Sequence, residues 1–285
     1  MLAKTSTIAC VVLAALFATR AYAQNETEPD AKPPDAASGG EGGAEQLTLQ
    51  KGRLLVNGFI EINLSTDAIG KPISITPDAW YGITDDISGG LVHSETAVTG
   101  FMGGVGDALC LTGADNGCAK FYNAVGFEGR YKIKLAGIAA AAEGGLLFTS
   151  LDPFDVAIKL GGVGRYRIGK IAIDAQPNLI IALTNRGSST VGGVTVSGNR
   201  DVLNLPVTGL YEITPMIAAA FQTGFQIPLE DTGDAYSIPV SIGGHYRVNN
   251  ELSVNLAFSL PRLVGGGSGT GLDARSLTLG GTYAF

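Results

Sequence analysis

The chain has 285 residues, 45% of them hydrophobic and 16% charged, with 41 glycines and a net charge of −7. An acidic balance without a basic stripe excludes a nucleic-acid-binding surface. Past the first residues no stretch stays apolar for the ~20 residues a membrane helix needs, so the hydrophobicity must lie in alternation, which window averages conceal.

Lys4, an apolar stretch over residues 8–18 and the small-x-small site Ala21-Tyr22-Ala23 before Gln24 predict a secretory signal peptide over residues 1–23. The apolar stretch is too short for an anchor, and Cys10 comes too early for a lipoprotein and leaves with the signal. Cleavage leaves 17 basic against 26 acidic residues, a net −9. Residues 24–46 hold six acids, one lysine, three prolines and a Gly-Gly-Glu-Gly-Gly run, which predicts a disordered acidic tail.

From 47 to 285 the apolar residues recur with period two and no helical period competes. One run sets Val156, Ile158, Leu160, Tyr166 and Ile168 against Lys159, Arg165 and Arg167; the last sets Leu277, Leu279, Gly281, Tyr283 and Phe285 against Ser276, Thr278 and Thr282. Twelve such runs begin near Leu54, Ile73, Ile87, Phe121, Leu135, Asp155, Ile171, Asp201, Met216, Tyr236, Glu251 and Arg275. Most are close to the ~9 to 11 residues with which a tilted strand crosses a bilayer.

Tyr81, Tyr131, Tyr166, Tyr211 and Tyr246 each stand two residues before Ile or Val and a short polar break, and Tyr283 sits beside the end of the chain. The breaks are Thr84-Asp85-Asp86, Lys132 to Lys134, Gly169-Lys170, Thr214-Pro215 and Asn249-Asn250. Between them lie longer stretches, notably 94–120, 185–200 and 261–274. Short turns on one side and long loops on the other, with tyrosines at one rim, are the pattern of an outer-membrane barrel. An even strand number puts both chain ends, the acidic tail and the tyrosine girdle on the periplasmic side.

The closing Leu277, Leu279, Gly281, Tyr283 and Phe285 resemble the carboxy-terminal assembly signal of bacterial outer-membrane proteins. Tyr81-Gly82-Ile83-Thr84-Asp85-Asp86 resembles a hairpin of Gram-negative porin-like barrels. These resemblances imply a porin-like superfamily, outer-membrane lipid and the barrel assembly machinery as partners, and small solutes as cargo.

Gly162-Val163-Gly164 and Gly267-Ser268-Gly269-Thr270-Gly271 open no helix and lack a following Gly-Lys-Ser/Thr, so they are not phosphate loops. Twelve strands also resemble the outer-membrane phospholipase family, whose active site pairs His-x-Ser with Asn. Here His93 and Ser94 are adjacent and would face opposite ways on a strand, and His245 has no serine two residues on. No enzyme, cofactor or metal site is therefore predicted. Cys110 and Cys118, a close pair in an exported chain, predict a disulfide that stiffens a tip of the longest loop.

Alternation forces charge inward, because Arg or Lys facing lipid at midplane is unfavourable by about 2–4 kcal/mol. The inward candidates are Glu61, Asp78, Glu128, Arg130, Lys132, Lys159, Arg165, Arg167, Asp174, Glu212, His245 and Arg247. They can line a narrow aqueous path or pair across strands and fill it. The sequence thus predicts an all-β, up-and-down transmembrane barrel of twelve antiparallel strands over 47–285 in the bacterial outer membrane, passing small solutes passively. A non-conducting structural or surface-interaction barrel is the alternative, and a lipid hydrolase the remoter one.

Overall fold

A computed structural model describes residues 47–66, 71–93, 109–118, 120–187, 189–191, 194–196, 200–230, 236–266 and 271–285. The signal peptide expected over 1–23 and the acidic tail expected over 24–46 lie outside the described residues, as do Ser94 and parts of the long loops.

The described chain is a closed antiparallel barrel of twelve strands in sequence order. They are β1 (Leu54–Asn63), β2 (Ile73–Gly82), β3 (Ile87–Val92), β4 (Val125–Leu135), β5 (Ile138–Leu151) and β6 (Phe154–Ile168). There follow β7 (Ile171–Ala175 resuming as Asn178–Ala182), β8 (Val202–Asn204 and Val207–Thr214), β9 (Ile217–Thr223 and Gln226–Pro228), β10 (Ser237–Arg247), β11 (Leu252–Gly265) and β12 (Ser276–Ala284). Pro177 and Pro206 stand in the breaks of β7 and β8, where a residue without an N–H cannot donate to the ladder. The seam closes where β12 pairs β1, from Leu55 opposite Ala284 to Asn63 opposite Ser276, and the Phe285 N–H donates to Leu54 O at 2.8 Å.

Among the described residues the outward face of the strands is free of charge apart from Arg262, near the outer end of β11. That face carries exposed Phe127, Leu146, Leu160, Ile173, Phe221, Ile242, Leu256 and Leu279. An apolar belt on a closed β-barrel is the pattern of barrels that cross a membrane with strands.

The tyrosines form one ring. Tyr81 lies opposite Gly89, which lies opposite Gly129, two residues short of Tyr131. The same two-residue advance leads from Tyr166 through Ile173 and Gly209 to Tyr211, and on through Ala219 and Gly244 to Tyr246. It continues through Val254 and Gly281 to Tyr283, and through Val56 and Ala79 back to Tyr81. Between Tyr131 and Tyr166 the advance is four residues. Averaged round the ring, at ~3.3 Å per residue and ~4.8 Å per strand spacing, five advances of two and one of four correspond to strands tilted by about 40°, so the six tyrosines stand level.

Three expectations change. The break placed at Lys132 to Lys134 falls at 136–137, where Gly137 takes φ +75°; β4 runs on through Leu135, so the β4–β5 hairpin extends past the tyrosine ring. On the opposite side the connections do not all run long, since β5 and β6 are joined by Asp152-Pro153 alone, braced by an ion pair from Asp152 to Lys120. That lysine holds the exposed Asp152 carboxyl below the usual range. Finally, β3 has only six residues, and Leu109–Cys110 takes its place beside β2, pairing Ser74 with Cys110 and Ile75 with Leu109. The Cys110–Cys118 disulfide therefore sits against the wall rather than at a free loop tip. Thr112 Oγ1 accepts the Ile73 N–H at 3.2 Å in support.

Candidate functional site: the lumen

Eight strands make a barrel that side chains just fill and sixteen leave a channel, so with twelve the size of the inward side chains decides. All twelve charged or histidine positions expected inside lie on inward-facing register rows. They fall into distinct groups.

The first group spans β2 to β7. Lys159 is fully buried and lies 2.9 Å from Glu128 Oε1, with a second ion pair to Glu143. Arg130 Nε donates to Glu143 Oε2 at 3.0 Å, and Gln176 Nε2 donates to both Glu143 oxygens at 3.0 and 3.1 Å. The Arg130 guanidinium also stacks 4.2 Å from the centre of the Trp80 ring. Two carboxylates and two cations thus neutralise one another within one wall. Glu143 and Trp80 escaped the sequence reading, although each lies two residues from another inward residue; Gln176 shares the polar face of its run with Asp174 but was not among the candidates.

Glycines let these long groups lie along the wall instead of projecting. A Cβ on Gly90 would come within 2.6 Å of the Trp80 ring, and one on Gly145 within 2.8 Å of Glu128 Cγ. A Cβ on Gly280 would come within 2.4 Å of Phe59, a second inward aromatic that the sequence reading missed.

The second group is Arg165 and Asp174, neighbours in register, with Nε to Oδ1 at 2.6 Å and Nη2 to Oδ2 at 2.7 Å. Arg167 reaches Glu212 at 3.4 Å. Asp78 accepts the His93 N–H at 2.6 Å, and Tyr122 OH lies 2.9 Å from His93 Nε2. His93 is thus tied into the wall where the longest loop leaves it. Lys132 and Arg247 make no ion pair among the described residues, and His245 stands near Arg247 toward the tyrosine rim. Glu61 is fully buried on β1, opposite Ser74 and Thr278.

Accessibility divides the lumen by height. Toward the tyrosine rim Lys132, Arg165, Asp174, Glu212, His245 and Arg247 are half-buried, whereas Glu61, Ser74, Thr76, Glu128, Lys159, Gln222, Ser259 and Ser276 farther along are buried. The inward groups toward the tyrosine rim are thus open to solvent, and those farther along are closely packed.

This architecture is shared with solved proteins. The NanC porin matches with TM-score 0.54 over 81% of this chain and 98% of that one, at 12% identity. The fold is that of an outer-membrane porin. An outer membrane channel from Pseudomonas putida F1 matches at TM-score 0.53 and 11% identity, over 84% of this chain and 97% of that one. The KdgM porin matches at 0.51 and 8%, over 81% and 99%. No protein-family profile matches the chain, and no curated protein matches it in sequence. At these identities the porin fold is shared while the lumen chemistry is this chain's own.

Proposed function

We propose that the protein is a narrow passive channel for small solutes in the bacterial outer membrane, exported by the signal at 1–23 and carrying the acidic tail 24–46 on the periplasmic side. The observation that carries this reading is the closed barrel with a broad apolar belt outside and a polar inside whose bulkiest groups lie flat on the wall. Porins and an outer membrane channel share that fold, and a KdgM porin of the same fold is known in complex with disordered oligogalacturonate. Glu61, Asp78, Glu128, Arg130, Lys132, Lys159, Arg165, Arg167, Asp174, Glu212, His245 and Arg247 line the path in this reading. The tyrosines seat the periplasmic rim in the headgroup layer. The Leu277, Leu279, Gly281, Tyr283, Phe285 strand is the handle for the assembly machinery. No catalytic step is assigned.

A second reading, a non-conducting barrel, draws on one observation: Lys159, Glu128 and Glu143 are buried, so the lumen is tight where they stand. Planar-bilayer recording separates the two. The refolded chain is expected to give small, reproducible conductance steps in KCl. Charge reversal at Arg165, in the accessible half, is expected to shift ion selectivity toward cations. An intact barrel by circular dichroism that passes no current would establish the second reading instead.

A further inference from the structure

The register joins inward residues into rows perpendicular to the strands, and tilt makes each row climb the wall. One row is distinctive. Starting beside Asp174, it runs Thr208, Gln222, Ser241, Ser259, Ser276, Asn63 across six strands, from mid-height on β8 to the far end of β1. Every member is an uncharged hydroxyl or amide. Below its start the same row passes through the Arg165–Asp174 pair and Ala139 to Lys134, near the tip of the β4–β5 hairpin. The row is therefore a polar ramp from one mouth of the barrel to the other, with neighbouring Cβ atoms ~4.5–5.5 Å apart.

Its two ends, Thr208 and Asn63, are half-buried, while the four middle members are 1–3% exposed. Ser241 Oγ donates to Ser259 Oγ at 2.7 Å. Gln222 Oε1 and Ser276 Oγ are buried with no hydrogen-bond partner among the described residues, and the same holds for Thr278 Oγ1 and Asn255 Oδ1 on the rows just beneath. Buried polar atoms are satisfied almost without exception, so these atoms are built to bond something that enters the lumen. What enters meets hydroxyl and amide groups along this row, with Glu61 one row beneath its far end, while Lys159 and Arg130 across the lumen are already paired with Glu128 and Glu143. Along the row itself, from Thr208 to Asn63, an ion sheds water and meets no charge of either sign. A neutral polyol exchanges each hydrogen bond to water for one to the wall.

We infer that this ramp is a solute-binding track and that it selects neutral, hydroxyl-rich solutes of sugar size over ions of equal size. The inference rests on the channel reading above. It is tested by swelling of liposomes containing the full chain in isosmotic glucose, gluconate and glucosamine, with KCl conductance recorded in parallel. Glucose entry is expected to exceed entry of either charged analogue by roughly three- to tenfold, about the worth of one net hydrogen bond. Gln222→Leu and Ser259→Ala should each remove most of that preference and Gln222→Asn restore part of it. Ser253→Ala, on a different row, should keep it. Equal rates for the three solutes, or a preference untouched in Gln222→Leu and Ser259→Ala, would overturn the track while the KCl current keeps the channel. Absence of KCl current would remove the channel reading and the track with it.

Discussion

Lys159→Met is expected to lower barrel stability by about 3–5 kcal/mol, because it leaves two buried carboxylates facing one cation. Lys159 stands 2.9 Å from Glu128 and pairs with Glu143, all three without solvent contact; Arg130 remains, shared between Glu143 and the Trp80 face. The penalty is desolvation, so neutralising the surplus carboxylate should recover most of it. In Lys159→Met with Glu128→Gln one carboxylate and one guanidinium remain, an arrangement that Arg130 and Gln176 already satisfy at Glu143. Urea unfolding of the refolded barrel, followed by the shift between folded and unfolded gel mobility, reads both variants. A single variant as stable as the parent would mean that the four charges are not a closed buried network. A double variant no better than the single would place the loss in packing of the lysine stem rather than in charge.

Much of this arrangement was legible in the chain, and the exceptions have physical causes. Period two fixes which face a residue takes, so the strand count, the outward tyrosines and the inward charges could all be read from alternation. Alternation cannot say which inward residues meet, because partners across strands depend on register, and register depends on turns such as 136–137 that propensity places only approximately. That is why Glu128, Arg130 and Lys159 were named without Glu143, which sits in an alanine run and pairs in register with Arg130. Trp80 and Phe59 were missed for a different reason: apolar side chains suggest the lipid side, yet Trp80 keeps step with Asp78 and Phe59 with Glu61. Parity overrules hydrophobicity once a strand's register is fixed. The wall position of the disulfide was hidden because β3 ends at Val92, and only the fold shows that Leu109–Cys110 completes the sheet beside β2.

Gly90→Val is expected to narrow the path. The Cβ it adds would stand 2.6–2.8 Å from three atoms of the Trp80 ring, a distance at which one of the two must move. The added bulk points inward on β3, where the backbone is held on both sides by β2 and β4, so the indole is the part that can yield. It can turn only away from the wall. That swings the largest side chain of the chain into the lumen and separates it from Arg130, whose guanidinium now lies 4.2 Å from the ring centre. Overpacking of this kind destabilises by about 1–3 kcal/mol, too little by itself to unfold a barrel of this size. The expected result is a folded protein with a clearly smaller single-channel conductance. Adding Trp80→Ala removes the group that obstructs, so the double variant should conduct at least as well as the parent. An unchanged conductance in Gly90→Val would mean that the Trp80 level is not where the path is narrowest. A reduced conductance that Trp80→Ala does not relieve would assign the effect to distortion of β3 itself rather than to the displaced ring.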